Sequence, residues 1–319
     1  MKTITVEELF RSKEQILDLE LLTPESALQR EIESPTLSSP GLVLAGYHDR
    51  YLRGRLQVLG ETEIRYLHSL DEATQASSIR AFLELQVPAL FITKALDAPQ
   101  ALLDLATEFG VPVLRSSHKT SEFYRRLQPY LEERFAPSMT THGSLADVYG
   151  VGLLFVGRSG IGKSECVLDL VERGHRLVAD DLVYITRRGI DVLIGRGHEL
   201  QQHHMEIRGV GIVDISALFG IRSIRQQKRI EVVVQLVDWD DRTQYDRTGL
   251  QTEEVEMLGV RLPRVVIPLN AGKNITVVSE VVAMNHLLKY SGVHSARLFN
   301  QRLMDSMKPV RAYLEEDYE

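Results

Sequence analysis

Residues 157–164 read GRSGIGKS and fit the spacing G-x-x-x-x-G-K-S/T. That order of residue types suits the grip of a phosphate. Gly157, Gly160 and Gly162 can take backbone angles that residues with a Cβ avoid, so successive N–H groups can turn into one small nest. A helix opening near Gly162 adds unpaired N–H groups and the positive end of its dipole. Lys163 supplies a point charge for the β- and γ-phosphates, and Ser164 a hydroxyl for Mg2+. Arg158, Ser159 and Ile161 complete the loop. Asp180 and Asp181 follow Lys163 by 17 and 18 positions, within HRLVADDLVYI. A hydrophobic strand leading to acids beside such a loop is the expected place for a magnesium-linked carboxylate. A carboxylate there can also accept the proton of an attacking hydroxyl, which favours transfer to an acceptor over hydrolysis. Neighbouring side chains on an extended strand face opposite ways, so one of the pair is expected to look into the site. The other would orient it, cap a backbone group or join a metal shell.

The elements around the loop are legible. VGLLFV (151–156) is apolar enough for a buried strand, and SECVLDLVERG (164–174) puts Val167, Leu170 and Val171 on one helical face. Gly174 is a natural stop. Downstream lie the β-rich pieces RLVADDLVYI, DVLIG, GVGIVDI, IEVVVQLVDW and RVVIPLN, then helices expected at 279–290 and 294–307 and a frayed acidic tail, LEEDYE. Upstream, GLVLAGY (41–47) reads as a buried strand, LQVLGETEIRYLHSL (56–70) as a strand and a helix start, and PALFIT (88–93) as a covered strand. A helix over 97–110 has Asp97 as N-cap, Pro99 in its first turn and Gly110 at its close. VPVLRS is a strand, and TSEFYRRLQPYLEERF a helix interrupted near Pro129. This βαβα order implies parallel strands covered by helices. The expected fold class is α/β, with an N-terminal α/β domain at 1–130 and a phosphate-binding catalytic domain at 131–319. The first domain carries no catalytic constellation and reads as structural, oligomerising or regulatory.

Composition narrows the function classes. The chain has 319 residues, 44% hydrophobic and 25% charged, with a net charge of −7. A negative balance argues against a general nucleic-acid binder. One cysteine, Cys166, permits no intrachain disulfide and suits a reducing compartment. The N-terminus lacks the apolar run of a signal peptide, and no apolar stretch reaches the roughly 18 residues that would span a bilayer. A cytoplasmic protein without membrane partners is expected. The guanine motif N-K-x-D is absent, since NAGKN at 270–274 does not match it, which disfavours a GTPase switch.

The stretch THGSLADVYGVGLLFVGRSGIGKSECVLDLVERGHRLVADDLV, followed by MEIRGVGIVDI, YDRTG (245–249) and IPLNAGKNITVVSEVVAMN, resembles the bacterial HPr kinase/phosphorylases. The likeness covers most of 140–290, and MEIRGxGIxD is far more specific than the glycine loop. It implies a P-loop catalytic domain similar to phosphoenolpyruvate carboxykinase, assembled as a homohexamer. It implies a bifunctional enzyme. With ATP or pyrophosphate as donor it phosphorylates a serine of the phosphocarrier HPr. It removes that phosphate with inorganic phosphate, giving pyrophosphate, and so serves carbon catabolite control. Carried onto this chain, the resemblance makes the loop 157–164 the nucleotide site and Ser164 and Glu206 the Mg2+ ligands. Asp181 becomes the residue that takes and returns the serine proton, and His142 its neighbour. Lys163 and Arg247 act on phosphoryl charge. Residues 205–214 would serve both activities, and 268–273 mainly dephosphorylation and docking.

Three features depart from the family pattern. Arg158 stands where an acidic residue is more usual, and solvent is its favoured direction, nucleotide phosphate the alternative. Lys273 replaces an expected arginine and cannot form the same bidentate phosphate contact. His198, His203 and His204 crowd one segment, yet a zinc ligand set is missing, so exposed or packed histidines are the default. Cys166 is expected in the core. Two rivals remain: a P-loop kinase or carboxykinase-like enzyme for a small molecule, and a non-enzymatic nucleotide sensor. Asp181 and His142 argue against the sensor, which needs no proton acceptor.

Overall fold

The computed structural model describes residues 3–49, 51–198, 203–240, 242, 253–270 and 272–316, with side chains through Ser306. The chain divides into two compact units, Met1–Ala136 and Pro137–Glu319.

The first unit runs β1 (Ile4–Thr5), α1 (Val6–Leu17), β2 (Leu19–Leu21), β3 (Glu31–Ile32), β4 (Leu37–Ser38), α2 (Gly41–Leu44) and β5 (Leu56–Leu59). It continues with α3 (Glu61–Ser69), α4 (Glu72–Leu83), β6 (Leu90–Ile92), α5 (Gln100–Glu108), β7 (Val113–Ser116) and α6 (Thr120–Phe135). Five strands form a sheet in the order β2-β7-β6-β5-β4, parallel from β4 to β7, with β2 antiparallel at one edge. A strand covered on both faces reads as an unbroken apolar run. LFI of β6 shows why: Phe91 joins a cluster with Leu9 and Phe123, while Leu90 and Ile92 join another with Phe82 and Leu102.

Four expectations for these and the last helices fail locally. GLVLAGY is not a strand: Gly41–Leu44 makes one helical turn, Gly46 (φ 93°) ends it, and Leu42 stays 71% exposed. A short apolar run becomes a strand only with a neighbour to pair, and this one has none. Asp97 does not cap α5; it pairs with Arg115 at 3.1 Å, and Pro99 holds the cap position. Pro129 does not interrupt α6. A proline removes one donor from the helix, and the buried stripe Phe123, Leu127 and Leu131 carries the helix across it. The last helix runs on through Glu316, taking in the first residues of the acidic tail.

The second unit begins β8 (Ser138–His142), β9 (Ser144–Val148), β10 (Val151–Val156), α7 (Lys163–Glu172), β11 (Arg176–Ala179), β12 (Leu182–Arg188) and β13 (Val192–Arg196). Next come β14 (His204–Ile207), β15 (Gly211–Asp214), α8 (Ile215–Phe219), β16 (Gln227–Arg229) and β17 (Val232–Asp238). It ends with β18 (Glu253–Met257), β19 (Val260–Leu269), α9 (Ile275–Tyr290) and α10 (Ser295–Glu316). Six strands pair in the order β11-β9-β10-β17-β19-β18, with β10, β17 and β19 parallel at the centre. A second, antiparallel sheet runs β16-β13-β12-β8. Along β10, Leu153 and Phe155 pack with Val167 and Leu170 of α7, while Leu154 packs with Val183, Ile185 and Leu193 of the second sheet. The central sheet is thus filled by helices on one face and by the second sheet on the other.

α9 is tied to the end of α7 by charge. Glu280, 7% exposed, accepts two bonds from Arg173, at 2.8 and 2.7 Å, and lies 3.1 Å from His175 Nε2. The Arg173 guanidinium holds the Glu280 carboxyl below its usual 4.5. A lowered folded pKa contributes stability above the unfolded value, and that stability is lost as pH falls through the folded one. Glu280→Gln should cost about 1–3 kcal/mol in denaturant unfolding at neutral pH, with the difference from wild type shrinking in acid.

Candidate active site

The loop 157–164 joins β10 to α7, at the carboxyl end of the central parallel strands. Gly157 adopts φ 152°, Gly160 φ 74° and Gly162 φ 100°. Gly157 and Gly160 are also crowded, whereas a Cβ on Gly162 would meet open space. A Cβ on Gly157 would stand 2.6 Å from the Leu236 carbonyl oxygen, and one on Gly160 would stand 2.8 Å from both terminal nitrogens of Arg208. The α7 helix follows because Cys166, Val167, Leu170 and Val171 form a buried stripe, and Gly174 (φ 93°) terminates it. Lys163 Nζ donates to the carbonyls of Gly157 at 3.1 Å and Arg158 at 3.0 Å, so its ammonium folds back across the loop.

The two aspartates do not lie on one strand. β11 ends at Ala179 and β12 begins at Leu182, and Asp181 takes the left-handed conformation (φ 63°) between them. The kink separates the side chains more completely than strand alternation would. Asp180 is buried, and its Oδ1 accepts from Ser164 Oγ at 3.0 Å and from Ser144 Oγ. Burial pushes its pKa up, opposed by the two serine hydroxyls. Asp181 points outward with its side chain 65% exposed, and its Oδ1 lies 3.8 Å from His142 Nδ1. Strand pairing makes this meeting: His142 sits opposite Leu182 in the β8–β12 register, and the Gly143 N–H donates to the Asp181 carbonyl at 3.0 Å.

Glu206 lies on β14, paired with β15, and is exposed on the face opposite buried Met205. Arg247 and the whole stretch 245–249 lie outside the described residues. In 268–273, Lys273 Nζ donates to the Pro268 carbonyl at 3.0 Å, and Ala271 lies outside the described residues. Gly272 and Lys273 line a cavity of about 410 Å3 shared with Gly162 and Glu165 at the start of α7. Cys166 is 2% exposed, and burial pushes its thiol up to about 11, so it is a core residue, not a nucleophile. His198 and His204 are each engaged with a neighbouring group, and among the described residues no group of three His, Cys, Asp or Glu side chains could hold a metal.

Three contacts at the loop were not read from the sequence, although one of them comes from Arg208, inside the stretch 205–214 singled out there. Ser144 bonds Asp180 across 36 positions. Arg208 rests its guanidinium against Gly160, across 48 positions. Asp238, at the end of β17, grips Arg158 through two bonds, Nε at 2.6 Å and one terminal nitrogen at 2.7 Å. Arg158 therefore does not simply point to solvent.

A strand–glycine loop–helix unit with a basic residue and a hydroxyl at the helix start sits within a mixed α/β protein. Within that class the assignment is direct. The chain belongs to the HPr serine kinase family: its residues 4–131 match the family model described as "HPr Serine kinase N terminus", and 133–303 match "HPr Serine kinase C-terminal domain". It is 43% identical to the HPr kinase/phosphorylase of Prosthecochloris aestuarii, over 100% of this chain and 97% of that one. It is 44% identical to that of Geobacter sulfurreducens, over 96% of each. The solved HPr(Ser) kinase/phosphatase of Coxiella burnetii aligns with 48% of this chain and 99% of its own, at 29% identity and a TM-score of 0.44. Among the described residues no helix is long and apolar enough to cross a membrane.

Proposed function

We propose that this chain transfers a phosphoryl group from ATP, or from pyrophosphate, to a serine of HPr, and removes it by phosphorolysis. The observation that carries the reading is the division of labour between two adjacent acids. Asp180 turns inward to the loop hydroxyl of Ser164, while Asp181 stands exposed beside His142. An accessible carboxylate suits an alcohol on a macromolecule better than a small substrate sealed from water. It therefore supports a protein acceptor over a small-molecule kinase.

In the forward direction the serine oxygen attacks the γ-phosphorus, Asp181 takes the hydroxyl proton, and the bond to the β,γ-bridging oxygen breaks to release ADP. In the reverse direction a phosphate oxygen attacks the phosphoserine phosphorus. The serine O–P bond breaks, Asp181 relays the proton of the attacking hydrogen phosphate to the serine oxygen, and pyrophosphate leaves. One nest holds the phosphate groups in both directions. Lys163 and the loop amides, with Arg247, stabilise the charge on the transferring group, and His142 orients Asp181.

The donor set fits magnesium: Ser164, Asp180 and Glu206 offer hard oxygens, and Mg2+ needs only one or two protein carboxylates beside substrate phosphates. Bound there, it would neutralise phosphate charge. Ser164 and Glu206 are its proposed ligands. Glu206→Gln should raise the Mg2+ concentration needed for half-maximal transfer; an unchanged metal titration would remove Glu206 from the set.

The catalytic unit is read as a P-loop fold similar to phosphoenolpyruvate carboxykinase, spanning 131–319, with 1–130 as a structural, oligomerising or regulatory domain. A homohexamer in the cytoplasm, serving carbon catabolite control and sugar uptake, completes the proposal. Assembly draws support from α9, whose inner stripe is Thr276, Ser279, Glu280 and Ala283 while Val277, Val281, Met284, Leu287 and Leu288 face outward. The test is incubation with labelled ATP, Mg2+ and purified HPr beside small hydroxyl acceptors. Label on HPr is expected, with pyrophosphate released when phosphate meets serine-phosphorylated HPr. Nucleotide binding without transfer to any acceptor would sink the enzyme reading.

A further inference from the structure

Arg158 occupies the second position of the glycine loop, and its main chain and side chain are both engaged. Its carbonyl accepts from Lys163 Nζ, and its guanidinium holds Asp238 by two parallel bonds. Asp238 closes β17, the parallel neighbour of β10, so the pair spans the flank of the loop. The first loop residue, Gly157, already abuts that strand at Leu236. An incoming polyphosphate therefore approaches beside a carboxylate that the Arg158 guanidinium grips.

The pair is built to exchange. Both side chains are open to water, 61% and 62% exposed, and an ion pair so exposed holds its members weakly. A guanidinium fork matches phosphate as well as carboxylate, and a donor polyphosphate brings more negative charge than one aspartate. Lys163 is also parked: it bonds two loop carbonyls that a bound phosphate would replace. Two cations at the loop thus sit on internal acceptors.

We propose that Arg158 is a donor-binding residue held in reserve by Asp238, which it leaves for the terminal phosphate of the donor. Asp238 then acts as an internal competitor that sets donor affinity. This rests on the reading of the loop as the donor site. It assigns the pair a role that a purely structural salt bridge would not have, because its two members should act on donor binding with opposite sign.

The experiment is calorimetric binding of pyrophosphate and of ATP to the full-length chain, with and without Mg2+, for wild type, Arg158→Gln, Asp238→Asn and the double variant. Arg158→Gln should weaken binding about tenfold, the loss of one charge-assisted bidentate contact. Asp238→Asn removes the competitor and should tighten binding about threefold. The double variant should match Arg158→Gln, since without the guanidinium there is nothing to release. Arg158→Lys should recover only part of the affinity. Both positions are exposed, so matching thermal unfolding is expected for every variant. Weaker binding in Asp238→Asn, with or without Mg2+, would overturn the proposal, and so would equal affinity across the set. Failure of wild type to bind either ligand would instead overturn the donor-site reading on which it stands.

Discussion

Lys163→Ala should abolish phosphorylation and phosphorolysis together. The Lys163 side-chain cation bonds two of the loop's own carbonyls, at Gly157 and Arg158. Its ammonium is therefore already within reach of the space that the β- and γ-phosphates would fill. Both directions place phosphate oxygens in that space, so one substitution removes the same charge from two reactions. Loss of a single preorganised electrostatic donor costs about 10²–10³ in kcat, and a full positive charge should reach the upper end. The readouts are label transfer from ATP to HPr and pyrophosphate release from serine-phosphorylated HPr, run on one preparation. Loss in one direction with the other spared would mean two phosphate sites, and the single-nest mechanism would fail.

The second large effect is expected at Asp181. Asp181→Asn should lower kcat for transfer by about 10²–10⁴, the usual contribution of a positioned base, while ATP affinity stays within about twofold of wild type. The substitution is clean for a backbone reason. Asp181 sits at φ 63°, and asparagine tolerates the left-handed region at least as well as aspartate. The kink that aims the side chain is retained and only the charge is lost. The Asp180 bonds to Ser144 and Ser164 are untouched. A rate near wild type in Asp181→Asn would remove it as the proton acceptor and direct attention to buried Asp180.

Much of the fold is legible in local pattern. VGLLFV, IEVVVQLVDW and PALFIT become central strands because strands covered on both faces require unbroken apolar runs. The helix after the loop follows from its stripe and its glycine stop. GLVLAGY shows the limit: its apolarity matches a strand, but strand formation needs a partner edge, which local sequence does not report. The acidic pair shows another. Alternation along an extended chain predicts two faces, yet the chain breaks at Asp181, and the break buries one acid and exposes its neighbour.

The sequence alone determined the glycine loop and the helix that follows it, the features on which the proposed anion nest rests, since backbone angles and helix polarity are set by neighbours in the chain. Tertiary structure decided what surrounds the nest. His142 meets Asp181, Ser144 meets Asp180, Arg208 covers Gly160 and Asp238 grips Arg158 only because strands pair in one register. A one-residue slip would turn the strand side chains among them, His142, Ser144 and Asp238, to the opposite face, and register depends on the packing of the whole sheet rather than on any short stretch of chain.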